Sequence, residues 1–280
     1  MHKTLHKYFA FFTLPTLIAF LIAFAVPFVM GVILSFTEFT TVNNARFVGL
    51  SNYIRAFSNR EFIDALWFTV KFTLVSVITV NLAAFTLAML LTRGLRGTNL
   101  FRTVFFMPNL IGGIVLGYIW QLILNGILAR FGVTLTYDPA YGFWGLVVLM
   151  NWQLIGYMMI IYIAGIQSIP QELIDASRVD GAGFGGTLRN VVLPMVMPAI
   201  TICLFLTLTN SFKLFDQNLA LTAGEPAKRS SLLALDIYNT FYGRSGWEGV
   251  GQAKAVIFSV IVALISLIQL IITRRREVSH

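Results

Sequence analysis

The sequence predicts an all-α membrane protein of six transmembrane helices, with one short cytoplasmic helix between the fourth and the fifth. Three observations carry that expectation. Of 280 residues, 57% are hydrophobic and only 11% charged, and the mean hydropathy is +0.79, a balance outside the range of soluble domains. The charges are segregated, because the stretches 9–35, 72–92, 103–124, 143–166, 191–212 and 255–272 contain no Asp, Glu, Lys or Arg. Each is long enough to cross about 30 Å of hydrocarbon as a helix, the last being near the lower limit. The third observation is the stretch 168–190, polar and broken by glycine, which stands between two of these apolar segments.

Helix one follows Lys3 and Lys7, as a signal peptide would, but its apolar run exceeds a signal core of about 7 to 15 residues, so it is expected to be retained. Pro15, Pro27 and Pro108 are expected at kinks or helix ends, with Pro108 close enough to Gly112 and Gly113 to loosen helix three. Six spans put both termini on one side, and the 20 Lys and Arg residues then divide equally between the two sides. Those on the side of the termini, Lys3, Lys7, Arg93, Arg96, Arg102, Arg178, Arg189, Arg274, Arg275 and Arg276, crowd into short segments against helix ends. The others spread through the longer loops 36–71, 125–142 and 213–254, where topology responds less to charge. Both termini are therefore expected in the cytoplasm. The net charge of +8 fits this topology and contact with anionic membrane lipid. It does not suggest nucleic acid, because the basic residues form no patch interleaved with aromatics. The one cysteine, Cys203, falls in helix five, where a small buried apolar role suits it and no intrachain disulfide is possible.

Within 168–190, Ser168 followed by Gln171 has the form of a capping box, with Pro170 in the first turn. Leu173, Ala176 and Asp180 recur at helical spacing, Glu172 and Asp175 share another flank, and Gly181 suits a left-handed C-cap, so the helix is expected to end by about Asp180. Gly183, Gly185 and Gly186 allow a sharp turn, and residues 187–192 begin a second helical piece that runs through Leu193-Pro194 into the membrane. Two readings compete: an amphipathic helix resting on lipid, or a helix docked in a protein cleft. Glu172, Asp175 and Asp180 outnumber Arg178 beside a lipid surface that is itself negative, which favours docking against a basic partner.

At these residues the chain resembles the membrane-spanning permease subunits of binding-protein-dependent ABC importers, whose signature is an EAA segment, a following DGA and a later Leu-Pro. Here they stand as Asp175-Ala176-Ser177, Asp180-Gly181-Ala182 and Leu193-Pro194. The segments "FVGLSNYIRAF" at 47–57, "LRGTNLFRTVFFMPNLI" at 95–111, "AGIQSIPQEL" at 164–173 and "SFKLFDQNLALTAGEP" at 211–226 resemble the carbohydrate-uptake branch, and within it the first of two paired permeases. Two departures are visible: Asp-Ala-Ser stands for Glu-Ala-Ala, and Gly224-Glu225-Pro226 for the usual Gly-Gly-Pro. The resemblance implies a single transmembrane permease domain over 1–280, with a coupling helix in 168–190 that meets an ATPase through Glu172, Asp175, Ala176, Ser177, Asp180 and Gly181. It also implies a second homologous permease, a cytoplasmic ATPase dimer and an extracytoplasmic sugar-binding protein as partners.

The chain has no GxxxxGK[ST] phosphate loop, so ATP and Mg belong on the partner ATPase and no cofactor is expected in this chain. His2, His6 and His280 sit at the termini and no His/Cys cluster suggests a metal, so neither catalysis nor metal binding is expected. The six apolar stretches hold no ionisable coupling group, which weighs against the rival reading, a self-sufficient secondary carrier or channel for a small polar solute. Neutral polar groups are present instead. Gln153 and Tyr157 share a face of helix four near Asn151 and Trp152, and Thr207, Asn210 and Ser211 share a face of helix five. Such faces suit sugar hydroxyls and rings, and they equally suit hydrogen bonds between helices. The resemblance carries a substrate role most directly to Tyr157, Thr207 and Ser211; Asn151, Gln153 and Asn210 follow by neighbourhood. Tyr118, Trp120 and Gln121 of helix three are either route-lining groups or interfacial anchors.

Overall fold

The computed structural model describes Phe11, residues 13–94 and residues 96–274. Lys3, Lys7, Arg275, Arg276 and the three histidines lie outside them. Among the described residues the regular structure is helical apart from one two-residue antiparallel pair. The elements run α1 (Thr13–Leu34), β1 (Thr37–Glu38), β2 (Arg46–Phe47), α2 (Ser51–Ser58), α3 (Arg60–Leu91), α4 (Thr98–Phe106) and α5 (Gly113–Leu128). They continue with α6 (Pro139–Gln167), α7 (Gln171–Val179), α8 (Phe184–Met195), α9 (Met197–Phe212), α10 (Asp216–Leu221), α11 (Leu233–Gly243) and α12 (Glu248–Arg274). Among the described residues, five helices are long and apolar enough to cross a membrane, or six if α8 and α9 form one bent span. The all-α class is the one the hydropathy predicts, and the six spans expected are matched in number only if the bent pair counts as one.

The boundaries differ where proline intervenes. The predicted third stretch, 103–124, is two helices, since Met107–Leu110 tightens into a 3₁₀ turn at Pro108 and the chain straightens at Ile111 and Gly112. The fifth, 191–212, is bent by 70° between α8 and α9. Pro198, in the first turn of α9, has no N–H to give the preceding turn, so the helix breaks at Val196. The long loops 36–71 and 213–254 are also more ordered than their composition suggests: they contain α2, α10, α11 and the first turns of α3 and α12.

The chain divides into two compact units, one holding the chain up to Phe62 with Ile237–Ser259, the other holding Ile63–Asp236 and the chain from Val260. In the first, the amide of Asn52 on α2 donates to the carbonyls of Ser35 at 3.0 Å and Thr37 at 2.8 Å, which seats α2 on the turn after α1. The same unit buries Lys254 completely. A buried ammonium needs partners, and Nζ donates to Thr240 Oγ1 at 2.7 Å and Asn59 Oδ1 at 3.3 Å while standing 5.1 Å over the Phe62 ring. In the second unit α6 is the central element: 56% of its apolar window is buried, against 11% for α5. Leu146, Leu149, Met150, Met158, Met159 and Tyr162 all face its core. At Gly156 the backbone of α6 meets α4 so closely that a Cβ would fall on the Phe105 carbonyl.

Candidate functional site: a polar cavity and an acidic helix

The polar groups of α6 and α9 separate into two sets. A cavity of about 490 Å³ is lined by Gln153 and Tyr157, one turn apart on α6, and by Asn210 in the last turn of α9. Met150, Leu154 and Leu206 supply apolar wall. The other sequence candidates lie elsewhere. Thr207 and Ser211 are fully buried and do not line the cavity. Ser211 Oγ donates to the Thr207 carbonyl at 2.7 Å, and Thr207 Oγ1 donates to the Cys203 carbonyl at 2.8 Å. Thr207 also accepts from Asn81 at 3.2 Å, and Asn81 accepts from the Tyr162 hydroxyl at 2.7 Å, so this set joins α3, α6 and α9. Asn151 makes a similar bridge, donating to Thr79 Oγ1 on α3 at 2.9 Å. These are satisfied buried polar groups of the kind that hold helices together in lipid.

Four further polar residues line the cavity that helical spacing does not single out: Asn109, Lys213, Asp216 and Gln217. Lys213 caps the end of α9, and two of them, Asp216 and Gln217, arrive on α10, which folds back against α5. Gly113 and Gly117 admit it, since a Cβ on Gly113 would come within 2.7 Å of Asp216 Cβ and one on Gly117 within 2.6 Å of Ala220 Cβ. Gln121 Nε2 donates to the Leu221 carbonyl at 3.1 Å and so ties the end of α10 to α5. Gln217 Nε2 then reaches across to Gln153 Oε1 at 2.8 Å. The segment after α10 is held by buried Asn218, which donates to the Ser230 carbonyl at 2.9 Å and accepts from the Leu232 N–H at 2.8 Å. Replacing Asn218 with Ala strands both backbone groups, at about 1 to 3 kcal/mol each. The expected result is a lower melting temperature of the purified protein, with Asn218→Asp intermediate because it keeps the acceptor. The signal that marked the region was the resemblance of 211–226; what no spacing rule conveys is that its side chains turn into the same cavity as Gln153. Of the route candidates, Tyr118 is exposed, and Trp120 sits edge-on to Trp152 with ring centroids 5.6 Å apart.

The acidic segment forms its own arrangement. α7 begins at Gln171 after Pro170, and the Ser168 hydroxyl donates to the Gly165 carbonyl at 2.8 Å, so Ser168 ends α6 and does not form the capping box its spacing suggests. Pro170 and the bend at Ile169 intervene between them. The C-terminal expectation holds: Gly181 has φ +83°, its N–H reaches the Arg178 carbonyl at 3.0 Å, and the Ala182 N–H reaches the Ser177 carbonyl at 2.9 Å. This paired pattern closes the helix with a left-handed residue. Glu172, Asp175, Ala176, Asp180 and Gly181 are exposed. Asp175 accepts from Gln171 at 3.1 Å and pairs with Arg178 at 3.3 Å, with both side chains of the pair more than half exposed. Ser177 is the inward member, bonded to the Ile174 carbonyl at 2.8 Å and to Thr187 Oγ1 at 3.0 Å, which anchors α7 to α8.

The profile of the family described as "Binding-protein-dependent transport system inner membrane component" matches residues 84–278. The chain is 44% identical over 276 residues to a probable starch degradation products transport system permease protein of Thermoanaerobacterium thermosulfurigenes, covering 95% of this chain and 94% of that protein. It is 28% identical to the multiple sugar-binding transport system permease protein of Streptococcus mutans, covering 99% of each chain. Its fold is similar to a crystal structure of a bacterial ABC transporter involved in the import of the acidic polysaccharide alginate, with a TM-score of 0.82, 19% identity and 98% of both chains covered.

Proposed function

The chain belongs to the binding-protein-dependent transport system inner membrane components and is a multi-pass permease subunit, not an enzyme; from that premise we propose that it passes a sugar or oligosaccharide inward across the cytoplasmic membrane. In this reading ATP and Mg are handled by a separate cytoplasmic ATPase dimer, a second permease completes the pathway, and an extracytoplasmic binding protein delivers the substrate. The relatives' sugar-linked names support the cargo. The single observation that carries the route through this subunit is the cavity where Gln153, Tyr157 and Asn210 meet Gln217, because it brings amide and phenol groups together beside an apolar wall. Thr207, Ser211 and Asn151 support this cavity from behind.

Both termini and α7 lie on the cytoplasmic side in this reading, so α7 is the coupling helix. Its exposed acids suit a basic cleft, and its anchorage through Ser177 and the closed turn at Gly181 suit a rigid lever. The rival reading, a self-sufficient carrier or channel, predicts uptake by this chain alone. Uptake in ATP-free vesicles containing only this chain would overturn the ABC reading.

A mutational comparison tests the assignment within the bundle. Tyr157→Phe and Asn210→Ala each remove about one hydrogen bond to substrate, on the order of 0.5 to 1.5 kcal/mol, and should slow transport per assembled complex several-fold. Ser211→Ala should leave it unchanged, because Ser211 faces only its own helix carbonyl. Transport normalised to assembled complex is the measurement; the reverse ranking would move the substrate path to the Thr207 face.

A further inference from the structure

We propose that the cavity beneath α7 is a binding site for an anionic phospholipid, with its phosphate between Arg93 and Arg178 and its chains on an aliphatic floor. The cavity measures about 720 Å³ and lies among the ends of α3 and α6, α7 itself and the first turns of α8. Its lining contains two guanidiniums and no carboxylate, with the amides of Gln167 and Gln171 and the hydroxyls of Thr92 and Thr187 beside them. Met89, Ile166, Ile169, Ile174, Leu188 and Val192 supply the apolar part.

The charge and the floor select the occupant together. Two cations that no lining acid neutralises attract an anion, and basic pockets between helix ends at the inner face of a membrane take up anionic headgroups. A free phosphate satisfies the arginines but leaves the aliphatic floor wetted, whereas a phospholipid covers it. Both arginines keep guanidinium donors for a phosphate beyond the contacts they already make. Arg178 shares Asp175 in an exposed pair at 3.3 Å, a contact that water screens. Arg93 stacks 5.1 Å over the Phe184 ring, an arrangement that leaves a guanidinium's in-plane donors available. The α8 wall is irregular: Leu188 and Val192 bracket a π-helical turn, and the 70° bend follows at Val196. Such turns interrupt the regular ladder and mark adaptable, functional places in helices. A lipid seated here ties α7 to the span ends from which it is hung, and so governs how freely α7 moves.

The effect on coupling rests on the proposed function; lipid retention does not, and the experiment separates the two. The assembled transporter is purified in detergent, exposed to phosphatidylglycerol, phosphatidylethanolamine or inorganic phosphate, and weighed by native mass spectrometry. Phosphatidylglycerol is expected to remain in preference to phosphatidylethanolamine, and Arg93→Gln with Arg178→Gln should lower its retention about tenfold. Leu188→Trp, which fills the floor but keeps both arginines, should also expel it; circular dichroism checks that each variant is folded. Equal retention by wild type and the double variant overturns the site, and saturation by inorganic phosphate with no preference for phosphatidylglycerol overturns the lipid. Failure of an ATPase to co-purify would overturn the functional reading while leaving the retention result standing.

Discussion

Asp175→Lys is expected to abolish coupling while leaving the protein inserted and assembled. Its contacts within this chain are exposed, to Gln171 at 3.1 Å and Arg178 at 3.3 Å, and such surface pairs contribute about 0 to 1 kcal/mol. Stability should therefore change little. If α7 docks on a basic ATPase cleft, the same carboxylate becomes part of a desolvated charge pair, and reversing it costs about 2 kcal/mol or more, or roughly 30-fold in coupling. Substrate-stimulated ATP hydrolysis in the reconstituted complex is the readout, with Asp175→Ala falling between wild type and Lys. Near-normal stimulation with Lys would remove Asp175 from the contact and shift it to Glu172 or Asp180, which are exposed on the same helix and its cap.

The second large effect is structural. Gly156→Val is expected to prevent a folded protein from accumulating, because the first carbon of any side chain there coincides with the Phe105 carbonyl and crowds the Phe106 N–H. Backbone cannot rotate aside as a side chain can, so α4 and α6 must separate, at about 3 kcal/mol or more. Those helices carry Tyr157 and its edge-on neighbour Phe106, with centroids 6.3 Å apart, so separation also opens the polar cavity. Monodisperse yield after size exclusion measures it. Gly126→Ala on α5 is the contrast, since nothing stands within 4 Å of its Cβ position; it should be neutral or stabilising by up to about 1 kcal/mol from helix propensity. Equal yields for Gly156→Val and Gly126→Ala would contradict the close approach.

Gly156 also shows what a sequence conceals. A glycine inside an apolar run marks a possible close contact, but the partner carbonyl lies some fifty positions away, and periodicity along one helix carries no information about it. Gln217 is the parallel case in the cavity. Its neighbours along the chain suggest an outer loop, yet it bonds to Gln153 because α10 folds into the notch at Gly113 and Gly117.

The helical class, the presence of uncharged runs long enough to span, the end of α7 at Gly181 and the family follow from the sequence alone. Each follows from a local cause: hydrocarbon thickness demands an uncharged run of about 20 residues, a left-handed turn favours glycine, and the EAA-like, DGA and Leu-Pro elements are contiguous enough to recognise. The tertiary structure decided which polar groups line the cavity and which bind helix to helix. Thr207, Asn210 and Ser211 share a face by spacing, but they fall on either side of the boundary between cavity and core. That boundary is set by how α9 is rotated against α3 and α6, and the rotation is fixed by contacts such as Asn81 with Thr207 and Tyr162 that join residues far apart in the chain. The 70° bend before α9 arises in the same way: Pro198 permits a break there, but only packing of α9 against α6 gives the break its direction.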